Sequence, residues 1–182
     1  YTHRFGGNRV TRSDVLDLDD SNARATVVAD LRCAPNIPPD TYDCIILTQT
    51  LHVIDDMEAV VAECARILKP GGVILATLPC ASRVSVEYGF DGDFWRVTDA
   101  GARRIFGGIF PATHLAVESR GNVLVNAAFL YGLGGQELAP EEYNVTDPYF
   151  PSLVTVRARK PIATESGGSW RRRGHFSQSR PA

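Results

Sequence analysis

The sequence predicts an α/β protein built on a mostly parallel β-sheet with helices packed on its faces. Two observations support this fold class. Short apolar runs rich in β-branched residues alternate with segments whose apolar residues recur at helical spacing. One of the runs, residues 43–48, is continuously apolar after its first residue, as expected of a strand that is covered on both faces. Strands that alternate with helices in this way favour a parallel sheet.

Three strand-like runs occupy the first part of the chain. Residues 9–16 are β-prone and end among several aspartates, and residues 26–29 form a compact apolar run closed by Asp30. Residues 43–48 follow as the third strand.

A helix is predicted after this third strand. Asp55 and Glu58 can form a capping box at its start, and apolar residues then repeat at helical spacing up to Leu68. The sequence Pro70-Gly71-Gly72 is predicted to end this helix.

The second half of the chain continues the alternation. Residues 73–78 read as a buried strand stopped by Pro79, and Thr98 or Asp99 can cap a short helix that runs to Phe106. Three further elements are then expected: an alternating strand over 114–119, a packed apolar helix over 122–133 and a final alternating strand over 153–159.

Composition bounds the protein class. The chain has 182 residues, 44% of them hydrophobic, and a net charge of −2, which predicts one globular domain over residues 1–160. Residues 161–182 are rich in Arg, Ser and Gly and are predicted to form a disordered tail. A nucleic-acid or membrane-surface role for this tail is the alternative, but the acidic body argues against nucleic acid as the main partner. No apolar run approaches the roughly 20 residues that cross a bilayer, so we expect a cytoplasmic protein without a membrane partner.

The four cysteines are widely spaced and lack the pattern of a metal site, so no metal is expected. Cys44 and Cys64 fall inside apolar patterns and are expected to be buried free thiols.

Candidate functional residues follow the predicted strands. In open α/β sheets, ligands bind beyond the carboxyl ends of the strands. Asp14, Asp30 and the segment 48–52 belong to this class of position.

Several motifs resemble a known family. Residues 42–47, the pair Leu51-His52 and the element Arg66-Ile67-Leu68-Lys69-Pro70-Gly71-Gly72 are similar to class I S-adenosylmethionine-dependent methyltransferases of the type 11 group. The resemblance covers residues 10–79. It implies a Rossmann-like, mostly parallel sheet with helices on both faces and an antiparallel C-terminal strand.

The resemblance also implies roles for individual residues of a site for S-adenosylmethionine. Asp14 matches the acidic residue that binds the ribose hydroxyls, although Asp17 competes for this position. Asp30 matches the residue that faces the adenine amino group, with the Leu31 backbone amide nearby. The methionine end would be lined by the residues after the strand over 43–48, namely Thr48, Thr50 and Leu51. Each aspartate has an alternative interpretation as a turn cap.

Two departures from the family pattern concern the first part of the chain. The gap between Asp14 and Asp30 is too short for the helix that the family places there. The family's first strand and its glycine loop are also absent, because only residues 1–8 precede the first strand-like run. We therefore expect upstream residues to belong to the natural protein.

Residues at three positions in the chain are predicted to act on the molecule that accepts the methyl group. His52 is the candidate general base for a hydroxyl acceptor, with a structural role in the following turn as its alternative. Trp95 and Arg96 combine an aromatic platform with a guanidinium, as suits a sugar or an anion, or they are a packed Trp and a solvated Arg. Asn122 begins an extension that resembles methyltransferases of polysaccharide biosynthesis, which implies a glycan or small-molecule acceptor.

Two other functions stay open on the sequence. One is a non-catalytic remnant or partner-binding module, which the absent first strand favours. The other is an NAD-dependent oxidoreductase, although the sequence lacks the G-x-G-x-x-G fingerprint.

Overall fold

A computed structural model describes residues 2–162 of the chain, apart from the side chain of His3. The tail predicted for residues 161–182 lies outside the described residues beyond Ile162.

The strands form two sheets. A short parallel pair consists of β1 (Leu16–Asp17) and β2 (Val27–Val28). The main sheet contains β3 (Tyr42–Thr48), β4 (Leu68–Pro79), β5 (Leu115–Arg120) and β6 (Leu153–Arg159) in the order β3-β4-β6-β5. β3 and β4 pair in parallel, and β6 runs antiparallel to both β4 and β5. Three of the four strands therefore run the same way, which confirms the predicted mostly parallel sheet with an antiparallel C-terminal strand.

Within residues 2–162, five helices and several single turns connect the strands. The helices are α1 (Met57–Ile67), α2 (Gly89–Gly92), α3 (Asp99–Gly107), α4 (Val123–Leu130) and α5 (Pro140–Tyr143). Isolated helical turns cover Thr2–Gly6, Gly7–Arg9, Leu51–Val53, Ala112–His114 and Gly135–Glu137.

Polar side chains cap three of these helices. The Asp56 carboxylate accepts from the Ala59 amide at 2.9 Å, so α1 begins one residue later than the predicted Asp55–Glu58 box. Thr98 caps α3 through the Gly101 amide at 3.2 Å, and Asn122 caps α4 through the Val125 amide at 3.0 Å. Each cap satisfies a first-turn amide that has no partner within its helix.

The core lies on one face of the main sheet. Ile74 and Leu78 of β4 are fully buried, as are Val60 of α1 and Phe106 of α3. α1 and α3 pack against each other and against strands of this sheet.

The opposite face of the main sheet lacks a helix cover within residues 2–162. Ile46 of β3 is 40% exposed and its neighbour Leu75 of β4 is 41% exposed. The cover on both faces that the apolar run predicted is therefore absent from the described part of the chain. For the same reason Cys44 is exposed and its predicted burial is wrong, whereas Cys64 is buried and burial raises its pKa to about 12.

The first predicted strand is much shorter than its β-prone run. Only Leu16 and Asp17 of this region form a strand, and they pair with β2 alone. Residues 11–15 are extended without a partner strand, and among residues 2–162 β3 pairs only with β4. A β-prone run needs a neighbouring strand to become a ladder, and none of the described residues supplies one.

Helix α4 is present but is not the packed helix that its composition predicted. Ala128 is its only fully buried residue, while Phe129 is 53% and Leu130 63% exposed. An apolar sequence indicates burial only where a partner surface is available.

The Pro-Gly-Gly sequence lies within β4 and not at the end of α1, so the prediction that it ends the helix is wrong. α1 ends at Ile67 and β4 begins directly at Leu68, so Pro70-Gly71-Gly72 lies in an irregular part of the strand where the pairing with β3 shifts. Gly71 has a φ of +81°, which favours glycine. A Cβ on Gly72 would lie 2.9 Å from both the Leu68 side chain and the Lys69 carbonyl oxygen. The backbone therefore approaches too closely at Gly72 for any side chain.

We expect Gly72→Ala to lower the free energy of unfolding by about 1–3 kcal/mol, because backbone atoms must move to admit the methyl group. Denaturant unfolding followed by circular dichroism measures this change. Gly135→Ala is the matched control, since its Cβ would meet no atom within 4 Å. Equal unfolding midpoints for the two variants would contradict the close approach at Gly72.

Candidate functional site

The carboxyl ends of β3, β4 and β5 lie at one edge of the main sheet, because these strands run in the same direction. The segments 49–56, 80–98 and 121–152 leave from this edge. Most of the predicted site residues lie in them.

The turn after β3 is strained and buried in part. Gln49 has a φ of +53°, and its amide donates to the carbonyl and hydroxyl oxygens of Thr77, each at 3.1 Å. A non-glycine residue in this region costs roughly 1 kcal/mol or more and is common at functional sites. The candidate segment 48–52 includes Gln49, but its left-handed conformation was not predicted, because glutamine gives no sequence signal for it. The Thr50 hydroxyl donates to the Thr48 carbonyl at 3.3 Å, and Leu51 is fully buried, which leaves only its backbone for a ligand.

His52 lies in the helical turn that follows. Its carbonyl accepts from the amides of Phe94 and Trp95 at 3.0 and 3.1 Å. Its Nδ1 atom is buried without a hydrogen-bond partner, and no residue among 2–162 hydrogen-bonds to the ring. Burial lowers the pKa of His52, the Asp93 carboxylate opposes this shift and Arg96 adds to it. The imidazole is therefore mostly neutral near pH 7.

Asp93 and Arg96 form a bidentate ion pair beside His52. Their two oxygen–nitrogen contacts measure 2.7 and 2.8 Å, and the Asp93 side chain is only 1% exposed. The remaining Arg96 donors bind backbone carbonyls of the loop after β4, namely Ser82, Arg83 and Trp95. The Arg96 guanidinium holds the pKa of Asp93 well below its usual range. Arg96 thus organises the loop, and its side chain has no donor left for an acceptor.

Of the other two residues predicted to contact the acceptor, Trp95 keeps an exposed surface and Asn122 does not. The Trp95 indole nitrogen donates to the Ile54 carbonyl at 2.9 Å, while part of its ring stays exposed. Asn122 is buried, and besides its cap it donates to the carbonyls of Glu142 and Val145 at 2.8 and 2.9 Å. The Asn122 side chain thus tethers the segment after α4 to its first turn.

Asp30 lies near the same edge. Its carboxylate pairs with Arg32 at 2.7 Å, and Arg32 also reaches Asp55, just before α1, at 2.8 Å. The hydrogen bonds from Arg32 lower the pKa of Asp30. The Leu31 amide next to it donates no hydrogen bond to the rest of the described chain.

Asp14 lies apart from these residues. It precedes β1 and accepts from the hydroxyl of Tyr42, the first residue of β3, at 3.1 Å, and it pairs with Arg12 at 2.9 Å. Thr48 is six residues further along β3, or roughly 20 Å at the rise of a strand. The competing Asp17 is occupied by the turn after β1, where it accepts from the Asn22 side chain at 2.7 Å. The fold therefore does not bring Asp14 to the edge that holds Thr48 and His52.

Residues 2–162 contain no group of three or more His, Cys, Asp or Glu side chains arranged to hold a metal ion. None of their helices is long and apolar enough to cross a membrane.

Comparisons with known proteins agree with this architecture. A family model described as a methyltransferase domain matches residues 7–76. The ubiquinone/menaquinone biosynthesis C-methyltransferase UbiE of Francisella tularensis subsp. novicida is 36% identical over 70 residues, which are 35% of this chain and 28% of UbiE. The chain thus matches well under two thirds of the length of this relative.

Two solved structures share the fold. One is the Haloferax volcanii complex of the Trm112 methyltransferase activator with a protein described as a methyltransferase (TM-score 0.55, 17% identity, 87% of this chain and 76% of that chain). The other, from Bacillus halodurans, is also described as a methyltransferase (TM-score 0.55, 14% identity, 88% of this chain and 87% of that chain). These likenesses confirm the Rossmann-like fold.

We expect Asp93→Asn to lower the free energy of unfolding at pH 7 by about 3 kcal/mol, because Arg96 is left without its buried partner. The pKa of Asp93 is lowered from 3.8, so its contribution is complete above that pH and is lost as the pH falls below it. Unfolding measured from pH 7 to pH 3 should show the difference from wild type shrink at the acid end. Asp91→Asn, an exposed carboxylate on α2, is the control, and an equal loss in both variants would contradict the assignment.

Proposed function

We propose that this chain is a class I methyltransferase that transfers a methyl group from S-adenosylmethionine to a hydroxyl of a glycan or small-molecule acceptor. The methyltransferase family model that matches residues 7–76 and the shared fold support this proposal. The observation that carries the hydroxyl assignment is the position of His52 in the turn at the carboxyl end of β3, where its ring has no hydrogen-bond partner among residues 2–162.

The residues at this edge fit the cofactor in part. Asp30 would bind the adenine amino group, because a carboxylate accepts hydrogen bonds from N–H donors, and the Leu31 amide is free to donate to the ring. Arg32 now occupies Asp30, but exposed ion pairs contribute only about 0–1 kcal/mol, so the exchange costs little. Thr48, Thr50 and the backbone of Leu51 would hold the methionine end. Asp14 lies beside Tyr42, so the segment before β1 would have to move towards the carboxyl end of β3 for Asp14 to reach the ribose.

The chain's own residues would contribute alignment and proton transfer. When bound, S-adenosylmethionine supplies an electrophilic methyl carbon, whose bond to sulfur breaks as the acceptor oxygen bonds to it. Holding the acceptor in line is the main contribution of the protein. His52 Nε2 would take the hydroxyl proton, since Nδ1 is buried. The nearby Asp93 carboxylate would stabilise the resulting imidazolium.

Trp95 supports a sugar-containing acceptor. Its indole is anchored by one hydrogen bond and keeps an exposed ring surface, on which the apolar face of a sugar can pack. Arg96 and Asn122 would act on the acceptor through the loops that they fix. A role in polysaccharide biosynthesis and a cytoplasmic location belong to the same proposal.

The open edge of β3 suggests that the working site includes more protein. Among residues 2–162 no strand pairs with this edge, and Ile46 beside it is exposed. The unpaired N–H and C=O groups of an exposed strand edge are a template for pairing with a further strand. We infer that a strand from outside residues 2–162 pairs here and completes the methionine end of the site.

A non-catalytic, partner-binding role is the second candidate. Both predicted cofactor carboxylates, Asp14 and Asp30, are already ion-paired, as expected if no cofactor uses them. Cofactor titration separates the two functions.

Calorimetric titration with S-adenosylmethionine and S-adenosylhomocysteine should give micromolar binding, with NAD as the negative control. Asp30→Ala should weaken this binding about tenfold or more, because a charged hydrogen bond contributes about 1.5–3 kcal/mol. Asp20→Ala, an exposed carboxylate in the same segment, should bind as wild type. A folded chain that binds neither compound, by itself and with the strand inferred at the open edge of β3 restored, would favour the partner-binding role.

Titration of the histidine ring signals by NMR should show His52 with a pKa below 6.5, because its ring is partly buried. His52→Gln identifies the signal by its loss. Asp93→Asn should lower this pKa further, since the Asp93 carboxylate favours the protonated ring. An imidazole that is still protonated at pH 7.5 would rule out its role as the base.

A further inference from the structure

A cavity of about 290 Å³ lies between the loop after β4 and the end of α4. It is lined by Arg83, Phe129, Leu130, Gly132 and Leu133. The wall from α4 is apolar and the loop contributes a guanidinium. The cavity is close in size to the smallest pockets that bind small molecules.

The apolar wall is fixed in an exposed position. After α4 the Gly132 amide donates to the Phe129 carbonyl at 3.0 Å and the Leu133 amide to the Ala128 carbonyl at 2.9 Å. Gly132 has a φ of +82°, and this turn directs Leu133 back beside the helix. Phe129, Leu130 and Leu133 thus form an exposed apolar surface. The turn after α4 fixes its shape, although these side chains are not part of the core.

Arg83 is positioned but unpaired. Its carbonyl accepts from the Arg96 side chain at 2.6 Å, so the Asp93–Arg96 pair fixes its backbone. Its guanidinium makes no hydrogen bond or ion pair with the residues from 2 to 162. By contrast, Arg96 is paired with Asp93 and Arg120 with Glu118 at this same edge. An unpaired, exposed guanidinium whose backbone is held beside an apolar wall is complementary to an anion that carries an apolar body.

We propose that this cavity binds a small amphiphilic anion, with its carboxylate or phosphate on Arg83 and its apolar chain or ring against Phe129, Leu130 and Leu133. The cavity adjoins the loop that also holds Trp95 and Asp93 near His52. The amphiphile is the anchoring part of the methyl acceptor, and this identification rests on the proposed function. It narrows the acceptor to a small molecule that combines an anion, an apolar part and a hydroxyl.

Calorimetry or NMR titration of the whole chain with octanoate tests the binding without any cofactor. Octanoate should bind saturably at one site, and Arg83→Gln should weaken it about tenfold or more. Leu133→Asn should weaken it as well, because its exposed side chain supplies apolar contact without supporting the core. Arg24→Gln, an exposed arginine in the turn between β1 and β2, is the matched control and should bind as wild type.

Three further ligands identify the chemistry. 1-Octanol should bind much more weakly than octanoate, and octyl phosphate separates a preference for phosphate from one for carboxylate. Equal binding of octanol and octanoate, or equal binding to wild type and Arg83→Gln, would overturn the proposal. So would binding to anionic phospholipid vesicles without saturable binding of octanoate.

The two binding experiments distinguish an error in the proposed anion pocket from an error in the proposed methyl transfer. Octanoate binding without S-adenosylmethionine binding would contradict methyl transfer and leave the anion pocket intact. S-adenosylmethionine binding without octanoate binding would overturn the pocket and leave methyl transfer intact.

Discussion

The burial of one face of β4 positions every other element of the main sheet. β4 pairs with β3 on one side and with β6 on the other, its residues Ile74 and Leu78 are fully buried, and α1 packs against it. The close backbone approach at Gly72 lets this strand begin immediately after α1. Because β3, β4 and β5 then run the same way, their connecting segments converge on one edge, where His52, Asp93 and Arg83 lie.

The Asp93–Arg96 ion pair fixes the conformation of the loop that follows β4. One carboxylate neutralises the guanidinium, and the guanidinium in turn binds three carbonyls of the loop after β4. Charge burial is compensated only because the geometry is bidentate and the remaining donors are satisfied. The same pair contributes to the electrostatic environment of His52 and fixes the backbone of Arg83, so the proposed base and the proposed anion pocket share one support.

The Arg32–Asp30 ion pair in the first part of the chain is exposed, unlike the Asp93–Arg96 pair. Arg32 and Asp30 are exposed, so water competes for both and their pairing contributes little. A ligand can therefore replace Arg32 on Asp30 at small cost, whereas no acceptor could displace Asp93 from Arg96. Under the proposed function, this difference in burial favours Asp30 for binding the cofactor and Arg96 for supporting the loop.

The sequence by itself determined the order and type of most elements and the position of the candidate base. Apolar periodicity identified α1, β3, β4, β5 and β6, and Thr98 and Asn122 were correctly predicted at helix starts. Only the tertiary structure decided which polar side chains already have hydrogen-bond partners. Asp14 accepts from the hydroxyl of Tyr42, 28 positions away. Asn122 donates to carbonyls 20 and 23 positions away. It also left α4 exposed despite its apolar sequence. Local patterns report backbone preference and average burial, whereas the partner of a polar group depends on where the fold brings distant segments together.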